Sequence, residues 1–230
     1  MSTFQYLMEQ KYGGFENFNY IVANKQSLNS RKAIHGHGLN DLEFMAKVQQ
    51  GSTSKQKTYP LYRAWVNMLQ RCYSDEYKNR KSTYINTTCC TEWLSCSKFC
   101  TDMVHLYKEG YHLDKDILLE NNNIYSKEAC IFVPGFINSF VTMANTIRGS
   151  TPVGVTMHGE RFRARIGKGF GLSGYKSLGV FDTASEAHRA WQIEKLNMTN
   201  NYISEGYIYL ARIANKLQFE INNNLETTSL

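Results

Sequence analysis

Oxygen-bearing side chains recur over residues 110–138 in an order that favours a metal site. Asp114, Lys115 and Asp116 stand side by side, and Asn138 follows further along the chain. The segment can be drawn as a strand carrying Asp114, a polar turn, a second short strand and a helix carrying Asn138. One divalent cation such as Mg²⁺ or Mn²⁺ could then bind the carboxylate and the amide, because hard cations prefer oxygen ligands. With a phosphate in its remaining positions, such a cation can assist phosphodiester hydrolysis.

A second set of residues has the chemistry of a polyanion-binding surface. Arg161, Arg163 and Arg165 alternate along one predicted strand, so all three should face the same side of a sheet. A cationic sheet face can lie in the major groove of DNA, where arginine contacts guanine edges or phosphates. Lys168 and Lys176 would add phosphate contacts. The alternative is an ordinary solvated sheet face opposite a helix.

The predicted elements around the first set are mainly helical. Apolar residues at 62, 65, 68 and 69 predict a helix with one apolar face, and a second amphipathic helix is predicted over residues 92–109. A short capped helix is predicted within residues 40–48, and residues 74–82 are predicted to form a loop. The helix that carries Asn138 should run over about residues 135–146.

The pattern changes to alternation beyond residue 152. Three alternating runs at 153–157, 162–166 and 178–181 predict a three-stranded antiparallel meander. A capping pattern at residues 183–187 begins a helix, and a last helix is predicted over residues 207–223 before a frayed tail. The fold class is therefore α+β.

These patterns predict four segments. Residues 1–58 form a weakly organised N-terminal extension, 59–148 the metal-binding region, 149–200 the sheet-and-helix domain, and 201–230 a C-terminal helix and tail. Residues 146–152 form a polar hinge between the second and third segments.

Length and composition narrow the class of protein. A chain of 230 residues that are 42% hydrophobic can form real cores, and its net charge of +6 fits a polyanionic partner. No run of about 18 apolar residues is present, so no transmembrane helix is expected. The first residues lack the pattern of an export signal, and we therefore expect a cytoplasmic protein.

Six cysteines leave a zinc site open as an alternative. Cys96 and Cys100 have helical spacing and could join Cys89 or Cys90 around zinc, but a paired C-x2-C signature is missing. Buried reduced thiols are the favoured interpretation, because free cysteine commonly behaves as a small buried hydrophobe.

Four blocks of sequence occur in order at residues 62–73, 92–93, 113–117 and 125–130. Together they resemble the phage-encoded HNH-type homing endonucleases. The resemblance implies a ββα-metal nuclease-like core in which Asp114 and Asn138 are the metal ligands. The residue after Asp114 is typically a histidine that acts as general base, and here it is Lys115. A supporting asparagine of the family is replaced by Ala129.

A second resemblance covers the C-terminal region. The blocks at residues 154–155, 161–166, 178–183 and 186–187 are similar to the plant APETALA2/ethylene-response-factor DNA-binding domain. This resemblance implies a three-stranded antiparallel sheet packed on a helix, with DNA on the sheet face. Modules of these two types are often fused in phages.

The departures from the first family bear on catalysis. Lysine has an ordinary pKa of about 10.4, so Lys115 could be a base only if its surroundings lowered that pKa. A charged Lys115 could instead stabilise the phosphate. His112 lies two residues before Asp114, on the same face of the strand, and is the second candidate for the base.

The sequence therefore predicts a phage-type endonuclease that hydrolyses double-stranded DNA with one divalent metal in the host cytoplasm. A catalytically inactive DNA-binding protein is the main alternative, which Lys115 and Ala129 favour. A factor that acts on a host protein through its basic surface is the third.

Overall fold

The computed structural model describes residues 2–16, 18–49, 56–142 and 151–226. It is a mixed α+β protein that divides into two compact units, residues 1–133 and 134–230. The predicted hinge at residues 146–152 lies mostly outside the described residues.

Unit 1 begins with short elements and continues with one long helix. Its helices are α1 (Thr3–Tyr12), α2 (Lys25–Asn29), α3 (Pro60–Tyr73), α4 (Asp75–Arg80) and α5 (Cys96–Met103). Its strands are β1 (Lys47–Gln49), β2 (Gln56–Thr58), β3 (Thr88–Cys89), β4 (Tyr111–Asp114), β5 (Ile124–Tyr125) and β6 (Ile131–Pro134), the last of which ends at the unit boundary. They form three two-stranded sheets, β1-β2, β3-β5 and β4-β6.

The long helix of unit 1 is the predicted amphipathic helix. In α3 the apolar residues at 62, 65, 68 and 69 are buried, which confirms the predicted face. Pro60 occupies the first turn, where its missing N–H is not needed. The indole N–H of Trp65 donates to the carbonyl of Trp93 at 2.7 Å, so both large side chains are buried with their polar groups satisfied.

The N-terminal segment belongs to this same core, contrary to the predicted weakly organised extension over residues 1–58. The rings of Tyr12, Phe18, Tyr20 and Phe44 are buried together with Tyr59, and many of the ring pairs meet edge to face. Buried aromatic pairs of this geometry add to the stabilisation from area burial. The boundary predicted at residue 58 is therefore not seen in the structure.

Three local predictions in unit 1 differ from the structure. The helix predicted within residues 40–48 is absent, and Lys47–Gln49 is strand β1 instead. The loop predicted over residues 74–82 contains α4, whose first turn is capped by the hydroxyl of Ser74. The helix predicted over residues 92–109 is shorter, a 3₁₀ turn followed by α5.

Unit 2 contains the sheet-and-helix arrangement that the sequence predicts. Its elements are α6 (Gly135–Thr142), β7 (Val155–His158), β8 (Arg161–Gly167), β9 (Tyr175–Phe181), α7 (Ala184–Ser204) and α8 (Ala211–Glu226). The three strands form an antiparallel sheet in the order β7-β8-β9. None of the helices that the structure describes has the length and hydropathy needed to span a bilayer.

The sheet packs one face against α7. Val155, Ala164 and Ala187 form the buried centre of this contact. A capping box begins α7, in which the Thr183 hydroxyl accepts from the Glu186 N–H and the Glu186 carboxylate accepts from the Thr183 N–H. The helix runs to Ser204, so it crosses the predicted boundary at residue 200.

Candidate nucleic-acid interface and metal site

The face of the sheet away from α7 carries the predicted arginines. Ala164 and Ile166 are buried on the helix side, and because side chains alternate along a strand, Arg161, Arg163 and Arg165 project from the other side. Arg161 and Arg165 are exposed and Arg163 is half-buried. We call Arg161, Arg163, Arg165 and the exposed Tyr175 the arginine surface.

Neighbouring side chains hold these arginines in place. An Nη atom of Arg163 donates to Nδ1 of His158 at 2.7 Å, and the Arg165 guanidinium lies 4.8 Å from the centre of the Tyr175 ring. Arg161 pairs with Asp182 at 2.7 Å, an exposed pair that contributes little to stability. Of these three contacts, only that of Arg161 is with a carboxylate.

The two predicted lysines occupy different positions. Lys168 is exposed just after β8, and its N–H donates to the carbonyl of Gly174 across the β8–β9 loop. Lys176 pairs in register with the buried Ile166, which places it on the helix side of the sheet. Its ammonium binds Glu194 of α7 at 2.7 Å. The structure does not support the phosphate contact predicted for Lys176, because this lysine lies on the face opposite the arginine surface.

The predicted metal ligand of unit 1 ends strand β4. The side chain of Asp114 is mostly buried, and its Oδ1 accepts from the backbone N–H groups of Asp116 and Ile117 at 2.8 and 2.9 Å. One carboxylate oxygen of Asp114 thus shapes the turn that follows β4.

Burial dominates the electrostatics of this carboxylate. Desolvation raises the pKa of Asp114 above its ordinary value, while the N–H groups of Ile117 and Asp116 act in the opposite direction. A bound cation would stabilise the ionised form and lower that pKa again. A buried carboxylate of this kind suits a metal ligand better than a surface ion pair.

Lys115 is fixed inside the loop that follows Asp114. Its ammonium donates to a carboxylate oxygen of Asp116 at 2.6 Å and to the carbonyl of Asn122 at 2.5 Å. The Asn122 amide donates back to the carbonyl of Lys115 at 3.0 Å, so the two residues close the loop reciprocally. These contacts suit a charged ammonium that holds the loop, and they give no support to a proton-accepting role.

The remaining candidates lie on different elements of the fold. His112 is exposed on β4, two residues before Asp114. Asn138 lies on α6, where its carbonyl accepts from the Thr142 hydroxyl at 2.8 Å. Asp114 belongs to unit 1 and Asn138 to unit 2. Shared binding of one metal by these two residues therefore stays a prediction from the sequence.

The cysteines and other metal-binding side chains are dispersed. Within residues 2–16, 18–49, 56–142 and 151–226, no three His, Cys, Asp or Glu side chains converge on a common point. The sulfur atoms of Cys96 and Cys100 lie 3.9 Å apart inside the core. Burial raises the pKa of the Cys130 thiol to about 12, which suits a buried reduced thiol.

No family model, no curated protein and no solved structure matches the chain. The two family resemblances therefore stay predictions that rest on the residues quoted above.

Three residues of these sites were not predicted from the sequence. Tyr175 and His158 position arginines across strands, and Asn122 closes the Asp114 loop. Strand pairing brings the first two next to residues distant in sequence, so only the register identifies them. The run of three asparagines at residues 121–123 was a visible turn signal, but not one that singled out Asn122.

Proposed function

We propose that this protein binds double-stranded DNA through the arginine surface of unit 2. The supporting observation is the alignment of Arg161, Arg163 and Arg165 on the solvent face of a sheet whose other face packs on a helix. Tyr175 adds an exposed aromatic ring beside Arg165. A two- or three-stranded ribbon of this kind fits the width of the major groove.

The chemistry of the surface suits both phosphates and base edges. Arginine donates in a planar fork that matches guanine O6 and N7 or a phosphate. Residues 155–182 carry two acidic residues, Glu160 and Asp182, against three arginines and two lysines, of which Lys176 lies on the opposite face. The local field therefore attracts a polyanion, and binding should weaken as salt increases.

The test is duplex binding by wild type, Arg163→Ala and Lys176→Ala at several salt concentrations. Both variants remove one positive charge from the same sheet, but only Arg163 lies on the arginine surface. We expect Arg163→Ala to weaken binding by about tenfold, or about 1.4 kcal/mol, which lies within the ~1–3 kcal/mol typical of a base-contacting arginine. Lys176→Ala should bind nearly as wild type. Equal losses in both variants would point to nonspecific charge and reject the surface.

A second candidate function is metal-dependent cleavage of the bound DNA, which the Asp114 loop favours. Along the chain, β4 with Asp114 is followed by β5, β6 and then α6 with Asn138. The resemblance to HNH-type nucleases implies a strand–strand–helix order for these residues. Asp114 offers a buried carboxylate oxygen, and Asn138 is the second ligand that the resemblance implies. Mg²⁺ or Mn²⁺ held there would act as a Lewis acid on the phosphate. Lys115 would hold the loop, and His112 would remain the candidate base.

Cleavage is tested on supercoiled plasmid and phage DNA with Mg²⁺ or Mn²⁺. Asp114→Asn keeps an oxygen that can accept the two backbone N–H groups, so this variant should fold while losing the charge that binds the cation. Nicking that requires metal and disappears in both Asp114→Asn and Asn138→Ala supports the nuclease. Wild-type protein that binds DNA but leaves it intact would instead identify a catalytically silent DNA-binding protein.

The silent alternative has structural support of its own. Lys115 is engaged by its own loop, and Ala129, at the place of the family's supporting asparagine, is buried and has no polar side chain to offer. A factor directed at a host protein remains the third hypothesis. Binding to a host protein that persists in excess competitor DNA would favour it over both DNA-based proposals. If the phage resemblance holds, the protein acts in the host cytoplasm.

A further inference from the structure

Unit 2 contains a cavity of about 760 Å³ next to the arginine surface. It lies among α6, the β8–β9 loop, the strands β7 and β8, and the inner face of α7. Its apolar walls include Phe136 and Phe140 of α6, Trp191 of α7 and Leu172 of the loop. The cavity is large enough for a nucleobase with its sugar, and its walls suit a flat aromatic ligand.

One buried cation lines the cavity. Lys195 of α7 is 3% exposed, and its ammonium donates to the carbonyl of Phe140 and lies 3.3 Å from the centre of the Phe140 ring. Desolvation lowers the pKa of Lys195 to about 7. Among the described residues, no carboxylate pairs with this lysine. Since lysine has three donors and the Phe140 carbonyl takes one, hydrogen-bonding capacity is left for a ligand.

The polar lining is positive on one side. Arg165, Lys168 and Tyr175 are among the residues that line the cavity. Within the described ranges, no acidic side chain lines it. Charge complementarity therefore favours an anionic ligand, and the aromatic walls favour one that carries a ring.

We propose that this cavity receives one nucleotide, a guanine nucleotide in preference to others, from DNA seated on the arginine surface. The inference rests on the proposed DNA binding and extends it, because Arg165 and Tyr175 belong both to the arginine surface and to the cavity wall. The nucleotide would leave the stack and enter the cavity, as in proteins that read an extruded base.

The expected contacts follow from the chemistry of the lining. The base lies against Phe136 and Trp191, and Arg165 and Lys168 bind the phosphate. In its protonated form, which a nearby phosphate would favour, Lys195 only donates hydrogen bonds, so it selects a base edge with adjacent acceptors. Guanine offers such an edge in O6 and N7, whereas adenine places an amino donor beside N7.

The first experiment measures calorimetric binding of dGMP, dAMP and deoxyguanosine to the full-length chain. We expect dGMP to bind at least tenfold more tightly than either of the other two. Lys195→Met, which keeps the length and apolar character of the stem, should weaken dGMP binding at least tenfold. Lys168 is exposed, so its truncation to alanine should leave the fold intact. The severalfold loss of dGMP affinity that we expect for Lys168→Ala therefore checks the phosphate contact. Failure of wild type to bind dGMP, or equal binding of dGMP and dAMP, would overturn the proposal.

A second experiment separates this proposal from the DNA binding on which it rests. Arg163 does not line the cavity, so Arg163→Ala should lose duplex affinity and keep dGMP affinity, and Lys195→Met should show the reverse. A duplex that carries a fluorescent guanine analogue should change its emission on binding wild type, because the analogue leaves the base stack for the cavity, and should not change with Lys195→Met. Duplex binding by wild type without a change in emission would reject the extruded nucleotide and leave the arginine surface intact. Loss of duplex binding in wild type would instead reject the proposed function.

Discussion

Lys115 donates its ammonium protons to two acceptors of its own loop, the Asp116 carboxylate and the Asn122 carbonyl. A residue held in this way contributes to the stability of the loop. The resemblance assigns this place to a catalytic histidine, and in this chain the side chain there makes contacts within its own loop.

Replacing this lysine tests that role at the level of stability. Lys115→Met should lower the free energy of unfolding by about 1–3 kcal/mol, since a partly buried carbonyl and a carboxylate lose their charged donor. Lys127→Met, at an exposed position close in sequence, should change it little. Urea unfolding followed by circular dichroism measures both. Unchanged stability in Lys115→Met would mean that the loop does not depend on the ammonium.

The buried Lys195 should make the free energy of unfolding depend on pH. Its pKa is about 7 in the folded chain and 10.5 when unperturbed, so between these values the unfolded chain holds a proton that the folded chain has released. The free energy of unfolding therefore rises with pH across this window, and the penalty is fully present below pH 7. Arg165 and Lys168 line the same cavity and add no negative charge to offset it.

The pH prediction is measured as a difference between two proteins. From pH 7 to pH 9.5, wild type should gain stability over Lys195→Met by on the order of 3 kcal/mol, because only wild type loses the buried charge. Chemical unfolding at three pH values within this window gives the slope. Parallel profiles of the two proteins would contradict a depressed pKa at Lys195.

At the scale of elements, the sheet of unit 2 depends on close contact between its first strand and α7. Gly154 has φ of +81°, and a Cβ added there would meet the Trp191 ring at 2.1 Å. The positive φ and the close approach of the Trp191 ring both require glycine immediately before β7. They give a physical reason for a residue that the sequence singled out by resemblance alone.

Substitution of this glycine should disrupt the contact between sheet and helix. Gly154→Ala combines an unfavourable φ with a clash against a buried ring, and we expect a loss of about 2–4 kcal/mol. Gly159→Ala, in the β7–β8 turn, also has positive φ but meets nothing within 4 Å, so about 1 kcal/mol is expected. Thermal unfolding compares the two, and equal destabilisation would show that the ring contact is unimportant.

The elements that could be predicted are those with a local signal. The period of apolar residues predicted α3, the alternation around Arg163 predicted β8, and the Thr183 capping pattern predicted the start of α7. The prediction of a helix within residues 40–48 was wrong because Phe44 and Val48 are buried by contacts with distant residues. Pairing with Thr58 makes Lys47 part of a strand. Such contacts leave no local pattern in the sequence.

The candidate sites likewise divide into those with a local signal in the sequence and those without one. Alternation alone placed the three arginines on one face, because side-chain direction in a strand is a local property. The position of Lys176 required the cross-strand register, which a bulge between Ala164 and Arg165 shifts. The cavity around Lys195 is formed by segments far apart in sequence, so no sequence motif predicted it.

At the scale of the whole molecule, unit 2 carries the features that support nucleic-acid binding, and unit 1 carries the Asp114 loop. Each unit has its own buried residues and its own candidate chemistry. We propose that the arginine surface of unit 2 binds double-stranded DNA.

The most direct test of that claim is the salt dependence of duplex affinity in the full-length chain. For wild type, the logarithm of affinity should fall linearly with the logarithm of salt concentration, and Arg163→Ala should lose about tenfold in affinity while Lys176→Ala keeps its affinity. If Arg163 contacts a phosphate, the slope should also fall by about one unit in that variant. No duplex binding at low salt, or an affinity that Arg163→Ala and Lys176→Ala change equally, would contradict the account.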